Sequence, residues 1–161
     1  MFETIVVPLD GSELAEEALA GALELAQKFA AKLVLVQAVD TLAQRMSQPP
    51  SIIDSPASAA ASVEVLQSAL DAEKEMAHSY LGALRDTYSA RGMRTEAFVG
   101  EGLAADVILS VVKEQKAGLI VMSTHGRGGL GRLVFGSVAD AVLRHSETPV
   151  LLIRSREKKE G

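Results

Sequence analysis

The 161-residue chain contains no cysteine and few aromatic side chains, with four Phe, two Tyr and no Trp. The lack of cysteine excludes disulfides, thiolate metal sites and a cysteine nucleophile, and it fits a reducing compartment. The scarcity of aromatic rings argues against a stacking platform for single-stranded nucleic acid. No apolar run approaches the roughly 20 residues that span a bilayer, and no signal peptide is visible. We therefore expect a soluble cytoplasmic protein that is not inserted in a membrane.

Basic residues are outnumbered, since 21 acidic residues face 16 Lys and Arg and the net charge is -5. An acidic protein is a poor general binder of DNA or RNA, so we expect no nucleic-acid partner. The basic residues after the last apolar run, in 154–159, are interpreted as part of a solvated end. The length suits a single domain, predicted over 1–155, followed by a disordered tail over 156–161.

Short β-branched runs alternate with helical patterns along the chain. Such runs predict strands at residues 4–9, 32–39, 118–123 and 149–153, and the alternating segment 94–99 predicts a strand closer to a sheet edge. The first helix has Ser12 as its predicted N-cap, and we expect it to bury a stripe ending at Phe29. The segment 40–61, which holds Pro49, Pro50 and Pro56, is predicted as a long, mobile surface loop, with a helix beginning at Ser62.

This βαβαβαβαβ order predicts an α/β fold with helices on both faces of a five-stranded parallel sheet. We expect the strand order 3-2-1-4-5, in which the first and fourth strands are neighbours. Ligands of such sheets bind beyond the carboxyl ends of the strands, where the strand order reverses. The loop at 8–12 and the loop at 123–129 should meet there, and both are unusual in composition.

The second of these loops has features that suit an anion. Glycines between Gly126 and Gly131 let backbone N–H groups turn inward, and a helix predicted to begin at Gly136 and Ser137 adds free N–H groups. The Ser137 hydroxyl can donate to a phosphate or bind a metal ion. Two simpler interpretations stay open: the glycines form only a flexible turn, and Asp10 only ends the first strand in an Asp-Gly turn.

Two familiar nucleotide motifs are not fulfilled. Gly126-x-Gly128-x-x-Gly131 matches the dinucleotide fingerprint in letters, but it follows the fourth strand instead of the first, so NAD and FAD are rejected. A P-loop would need Lys and then Ser or Thr after Gly131, where Arg132 and Leu133 stand. The three histidines are too scattered in the sequence to argue for a zinc site.

The segment 123–138, STHGRGGLGRLVFGSV, closely resembles the signature of the universal stress protein family. The opening IVVPLDGS at 5–12 and the ending HSETPVLLI at 145–153 resemble the start and the close of that family's domain. The resemblance covers essentially the whole chain, with 40–61 as its most variable part. It implies a Rossmann-like fold of the adenine nucleotide alpha hydrolase-like type.

The family has members that bind ATP and members that bind no nucleotide. The binders carry Gly, two residues, Gly, nine residues, and then Gly followed by Ser or Thr. Gly126, Gly136 and Ser137 fulfil the second half of that pattern, whereas Ser123 stands at its first glycine. Carried over by position, the resemblance implies a site for ATP, with or without Mg²⁺, at Pro8, Asp10, Ala38, Met122, Ser123, His125, Gly126, Arg127, Gly136, Ser137 and Val138.

The resemblance implies a nucleotide-binding stress-response regulator that works with an unknown protein partner. We expect at most weak ATP hydrolysis, because no residue is a convincing general base and no P-loop lysine exists. A slow ATPase and a dimeric interaction module without nucleotide are the alternatives, and Ser123 favours the second of them. The apolar strand at 149–153 is expected at a sheet edge, where it would form a homodimer.

Overall fold

A computed structural model describes residues 1–47, 56–124 and 136–154, with side chains omitted for 56–62. The elements, in chain order, are β1 (Thr4–Pro8), α1 (Glu13–Phe29), β2 (Lys32–Val39), α2 (Leu42–Ser47), α3 (Pro56–Ala90), β3 (Thr95–Glu101), α4 (Ala104–Glu114), β4 (Leu119–Thr124), α5 (Ser137–His145) and β5 (Val150–Arg154). The five strands match the predicted strands to within two residues at each end. The predicted tail over 156–161 lies outside the described residues.

The strands form one parallel sheet in the order β3-β2-β1-β4-β5, as the sequence predicted. β1 lies at the centre, where Ile5 pairs with Leu33 of β2 and with Leu119 of β4. β3 and β5 are the two edges. The strand order reverses between β1 and β4, so the carboxyl ends of these two strands lie side by side at one edge of the sheet.

Both faces of the sheet are covered by helices, which explains why the strands read as continuous apolar runs. Ile5 and Val7 face α1 and α3, whereas Val6 faces α4 and α5 on the opposite side. All three side chains are completely buried. The core therefore consists of two layers separated by the sheet.

α1 begins where the sequence predicted. The hydroxyl of Ser12 accepts a hydrogen bond from the amide of Ala15 at 3.2 Å, so Ser12 is the N-cap. Small side chains dominate the buried face of this helix, with Ala18 and Ala22 against the sheet. Phe29 does not continue the buried stripe as expected: it is 52% exposed and packs edge-to-face on Phe2, because the helix ends there.

The segment 40–61 is more helical than the sequence suggested. It contains α2, and α3 begins at Pro56 instead of Ser62. The alanines at 57–61 are strong helix formers, and a proline is tolerated in a first helical turn, so the helix extends before Ser62. In the part of the chain that the structure describes, no helix is long and apolar enough to cross a bilayer.

Candidate functional site

The loop after β1 is held in a fixed turn at the point where the strand order reverses. Oδ1 of Asp10 accepts hydrogen bonds from the amide of Ser12 at 2.9 Å and from its hydroxyl at 2.6 Å. Gly11, between them, has a φ of 79°, a left-handed conformation that glycine adopts without steric cost. Asp10 thus does form an Asp-Gly turn, and this turn also fixes its carboxylate at the carboxyl edge of the sheet.

The start of α5 lies opposite this turn. Gly136 is the N-cap, and no side chain in the described part of the chain caps the helix. The amides of Ser137, Val138 and Ala139 therefore have no acceptor within the helix, whereas the amide of Asp140 already bonds to the Gly136 carbonyl at 2.9 Å. These amides, together with the helix dipole, give this end of α5 a partial positive charge.

Gly136 leaves open space at this helix start. Its φ of -61° and ψ of 155° suit any residue, so the backbone conformation does not require glycine. A Cβ placed on Gly136 would meet no atom of the described residues within 4 Å. Within residues 1–47, 56–124 and 136–154, the missing side chain therefore leaves room beside the α5 amides for a ligand to approach.

A cavity of about 250 Å³ lies between the Asp10 turn and the start of α5. Its lining is formed by Pro8, Leu9, Asp10, Ser12, Leu14, Ala15, Val36, Ala38, Ala104, Ile108, Met122, Ser123, Gly136, Ser137, Val138 and Ala139. This volume approaches the roughly 300–1,000 Å³ typical of small-molecule sites. The walls are mainly aliphatic, while polar groups lie at Asp10 and at the α5 start.

Eight of the eleven residues that the sequence singled out line this one cavity. They come from distant parts of the chain and include Pro8, Ala38, Met122 and Val138. The other three, at positions 125–127, lie outside the described residues, as does the remainder of the glycine-rich segment up to Gly131. The structure thus brings together every predicted site residue that it describes.

Sequence reasoning missed the walls contributed by helices. Ala104 and Ile108 of α4 and Leu14 of α1 line the cavity, although none carries a motif. Their only signal is position: Ala104 is the first residue of the helix after β3, and Leu14 is the second residue of the helix after β1. Aliphatic side chains with helical spacing look the same whether they face a core or a ligand.

Ser123 keeps a backbone conformation that serine accepts. It lies in β4, where it pairs with Ile153 of β5. In the described residues the positive φ angles outside glycine are those of Ala30 and Lys116. Replacement of a pattern glycine by Ser123 therefore imposes no left-handed strain at this site.

The cavity can hold a ligand that is apolar in the middle and polar at both ends. Hydroxyl groups would find an acceptor in the Asp10 carboxylate, and an anion would find donors in the α5 amides. Within residues 1–47, 56–124 and 136–154, no group of three His, Asp or Glu side chains is placed to bind a metal ion. The described geometry therefore suits an organic anion with hydroxyl groups.

The fold and this cavity define a doubly wound α/β protein with a ligand crevice at its switch point. The model of the universal stress protein family matches residues 1–154, and the chain belongs to that family. A universal stress protein of Methanocaldococcus jannaschii is 30% identical over 159 residues, which cover 99% of this chain and 86% of the relative.

Solved structures of the family share the whole fold. The universal stress protein UspA from Lactobacillus plantarum superposes with a TM-score of 0.71 at 25% identity, over 95% of this chain and 98% of its own. A universal stress protein in complex with cAMP superposes with a TM-score of 0.65 at 27% identity, over 96% of this chain and 99% of its own. The bound cAMP is an observation made on that relative.

Proposed function

We propose that this protein binds an adenine nucleotide, ATP in the first place, in the cavity between the Asp10 turn and α5, and acts as a nucleotide-responsive regulator. The observation that carries the proposal is the start of α5 beside Gly136, where, among the described residues, no side chain caps the helix and no atom fills the space of a Cβ. A phosphate placed there would accept hydrogen bonds from the amides of Ser137, Val138 and Ala139 and would be stabilised by the helix dipole.

The remaining cavity residues fit the other parts of the nucleotide. Asp10 is held by Ser12 so that its carboxylate faces the cavity rim, where it can accept hydrogen bonds from ribose hydroxyls. The aliphatic wall that includes Val36, Ala38 and Ile108 provides an apolar surface for the base. The Ser137 hydroxyl would donate to a phosphate or bind a Mg²⁺ ion that accompanies it.

The complex of a relative with cAMP supports the binding of a nucleotide by this fold. We place ATP first because Gly126, Gly136 and Ser137 fulfil the second half of the ATP pattern of the family. The extended conformation of Ser123 removes the steric objection to its presence in that pattern. His125 and Arg127 remain predicted phosphate contacts.

The test is calorimetric titration with ATP and Mg²⁺ of the wild type and of Gly136→Val. A valine side chain would occupy the space in front of the α5 amides. We expect it to weaken binding at least ~10-fold, because each hydrogen bond to a charged group contributes roughly 1.5–3 kcal/mol. Gly82→Val is the matched control, because a Cβ there also meets nothing within 4 Å and Gly82 does not line the cavity.

The outcomes separate the candidate functions. Wild-type affinity for ATP in Gly136→Val would contradict phosphate binding at α5. Tighter binding of ADP, AMP or cyclic AMP than of ATP would change the identity of the nucleotide. If none of the four nucleotides gives heat or a thermal shift with the wild type, the dimeric interaction module without nucleotide is the better interpretation.

Hydrolysis is expected to be weak at most. The sequence has no P-loop lysine after Gly131, where Arg132 stands, and catalysis of phosphoryl transfer depends on such charge-stabilising groups. Steady-state release of phosphate by the purified wild type measures this directly. Rapid turnover that is lost in Asp10→Ala would show that the protein is an ATPase, and a faster one than we expect.

We also propose that two copies of the chain pair through β5. This strand is a sheet edge, and its Leu151 is 40% exposed although it is a large apolar side chain. We expect sedimentation equilibrium at micromolar concentration to give twice the mass of one chain, and Leu151→Lys to give the single mass. Thr95→Lys, at the opposite edge, should leave the dimer intact, and loss of the dimer there would contradict pairing through β5.

A further inference from the structure

We propose that the free edge of β3 and the groove beside it dock an extended segment of a partner protein, one that carries two basic residues four positions apart. The segment would add a strand to the sheet on the side away from β5. This surface is separate from the nucleotide cavity, and the proposal does not depend on nucleotide binding.

The hydrogen bonds of β3 define what its open edge offers. The amide of Leu33 bonds to the carbonyl of Arg94, and the amide of Gly102 bonds to the carbonyl of Val39, each as part of the parallel ladder with β2. In such a ladder, alternate residues direct both of their backbone groups to the same neighbour. The even-numbered residues of β3 therefore bond to β2, and the odd-numbered residues direct their N–H and C=O groups outward.

The outward groups belong to Thr95, Ala97, Val99 and Glu101. No backbone hydrogen bond from another described residue reaches these four residues. Free, regularly spaced donors and acceptors on an edge strand are the groups that an added strand uses for main-chain pairing. The edge thus has backbone groups available for a parallel or an antiparallel partner strand.

A groove of about 460 Å³ runs along this edge between β3 and α4. Its floor contains Phe98 and Val111, and Leu103 at its end is 63% exposed. A Cβ on Gly100 would lie 2.5 Å from Cγ1 of Val107, so a larger residue on the floor would force that side chain to shift. The groove therefore combines an apolar floor with backbone groups along one side, as strand-addition sites do.

The outer wall of the groove determines the charge of the partner. Asp106, Ser110 and Glu114 lie at successive i, i+4 positions on α4, line the groove and are exposed. Eight residues of helix separate the two carboxylates by roughly 12 Å along the axis. Two side chains on the same face of a strand, four residues apart, are roughly 13 Å apart. A strand with Lys or Arg at these two positions would place one cation near each carboxylate.

The same charges disfavour a second copy of this chain at this edge. The edge strand itself carries Glu96 and Glu101, which bind Lys32 and Lys74. Two copies paired edge to edge would bring together the carboxylates of both α4 walls, which have no ion-pair partner among the described residues, and like charges in that position are repulsive. A basic, extended partner would pair with the outward backbone groups of β3 and would neutralise the carboxylates of α4.

The test uses fluorescein-labelled peptides with the full-length wild type, without nucleotide. The probe is an eight-residue peptide of alternating Val and polar residues with Lys at positions 2 and 6. One control peptide has Glu at these two positions, and a second has N-methyl groups on alternate amides, which removes main-chain pairing. We expect a saturable rise in anisotropy with the Lys peptide and none with either control.

Two double variants test the charges. D106N/E114Q removes the carboxylates of the α4 wall, and we expect it to weaken binding roughly two- to thirtyfold, the range that two exposed ion pairs supply. E24Q/E64Q is the matched control, because it makes the same change in net charge at exposed carboxylates outside the groove, and it should bind like the wild type. Equal binding by both variants would overturn the proposal.

Amide hydrogen exchange locates the peptide. On saturation we expect slower exchange at Ala97, Val99 and Glu101, whose amides point outward. The amides of Phe98 and Gly100, which already bond to β2, should not change. Protection at β5 in place of β3, undiminished binding of the N-methylated peptide, or concentration-dependent self-association that protects β3 without peptide would each overturn the proposal.

Discussion

Gly118 shows how a single missing side chain sets the packing beside the central strand. Its amide donates to the carbonyl of Thr4 at 3.0 Å, and a Cβ on it would lie 1.9 Å from the carbonyl oxygen of Met1. That oxygen belongs to the backbone that leads into β1, so relief of the contact requires this backbone segment to shift. Glycine is therefore needed here for close approach between two chain segments.

Gly118→Ala is expected to lower the free energy of unfolding by roughly 1–3 kcal/mol, the usual cost of overpacking. Gly82→Ala is the control, because a Cβ at that helical position meets nothing within 4 Å. It should raise stability by ~0.4–1 kcal/mol, because alanine restricts the unfolded chain. Urea unfolding of the two variants measures both values, and equal effects would show that the contact with Met1 is unimportant.

Tyr80 links α3 to α1 through a hydroxyl that resists ionisation. This hydroxyl donates to Oε1 of Glu16 at 3.0 Å. Partial burial, followed by the hydrogen bond to Glu16 and the negative charge nearby, raises the pKa of Tyr80 well above its usual range. The folded protein therefore keeps this proton at pH values where an unfolded tyrosine, with a pKa of about 10, loses it.

The sign of the resulting pH dependence follows from proton binding. Above pH ~10 the folded state holds more protons than the unfolded state, so the free energy of unfolding falls as the pH rises. Tyr80→Phe should remove this part of the fall in urea titrations between about pH 9 and 11. Tyr88→Phe changes the other tyrosine and is the control. A wild-type slope in Tyr80→Phe would contradict the assignment.

At the residue scale, the sequence predicted the polar groups of the cavity better than its walls. Asp10, Gly136 and Ser137 were identifiable because loops rich in glycine and polar residues follow buried strands at the switch point. Ile108 and Ala104 were not, because an aliphatic residue on an amphipathic helix carries no sign of what it contacts. The space beside Gly136 also could not be predicted, because it depends on how atoms from other parts of the chain pack around that residue.

The N-cap of α1 gives a prediction at the scale of one element. Ser12→Ala removes the acceptor for the amide of Ala15, and we expect a loss of stability of ~1 kcal/mol, within the usual 0.5–2 kcal/mol. Thr87→Ala is the control: its hydroxyl donates to the carbonyl of Ala83 inside α3, where such a bond adds little. Thermal unfolding that shows equal losses would contradict a capping role.

Elements with long apolar runs were predicted well, and short polar elements were not. β2 was predicted at its observed bounds, because Leu33 to Val36 with Ala38 and Val39 form the nearly continuous apolar run that is typical of a buried parallel strand. α2 was missed, although Thr41 and Gln44 form a capping box: each side chain accepts a hydrogen bond from the other's amide, at 3.2 and 2.8 Å. The prolines around 49–56 favoured the prediction of a loop over that local signal.

α2 is held in place by ion pairs that the sequence did not predict. Arg45 binds Asp40, which follows β2, at 2.6 Å and Glu73 of α3 at 2.6 Å. These contacts raise the pKa of Arg45, chiefly through the hydrogen bond to Asp40. No periodic pattern contains such a pairing, because the partners are 28 residues apart along the chain.

On the scale of the whole molecule, the strand order followed from the alternation of strands and helices together with right-handed crossovers. The two-layered core, with Ile5 on one face and Val6 on the other, is the physical reason that this inference succeeds. The groove beside β3 could not be inferred in the same way. It depends on the depth between an edge strand and α4, which three-dimensional packing alone determines.

The central position of β1 has a consequence for how the chain is made. The ribosome releases β1 first, yet β4, its neighbour through Leu119, emerges only after most of the chain. Until then β1 can pair with β2 alone, and the backbone N–H and C=O groups on its other side form the unpaired edge of a half-finished sheet. We expect nascent or truncated chains that end before β4 to aggregate or to require a chaperone, whereas chains that include β4 close this edge and do not.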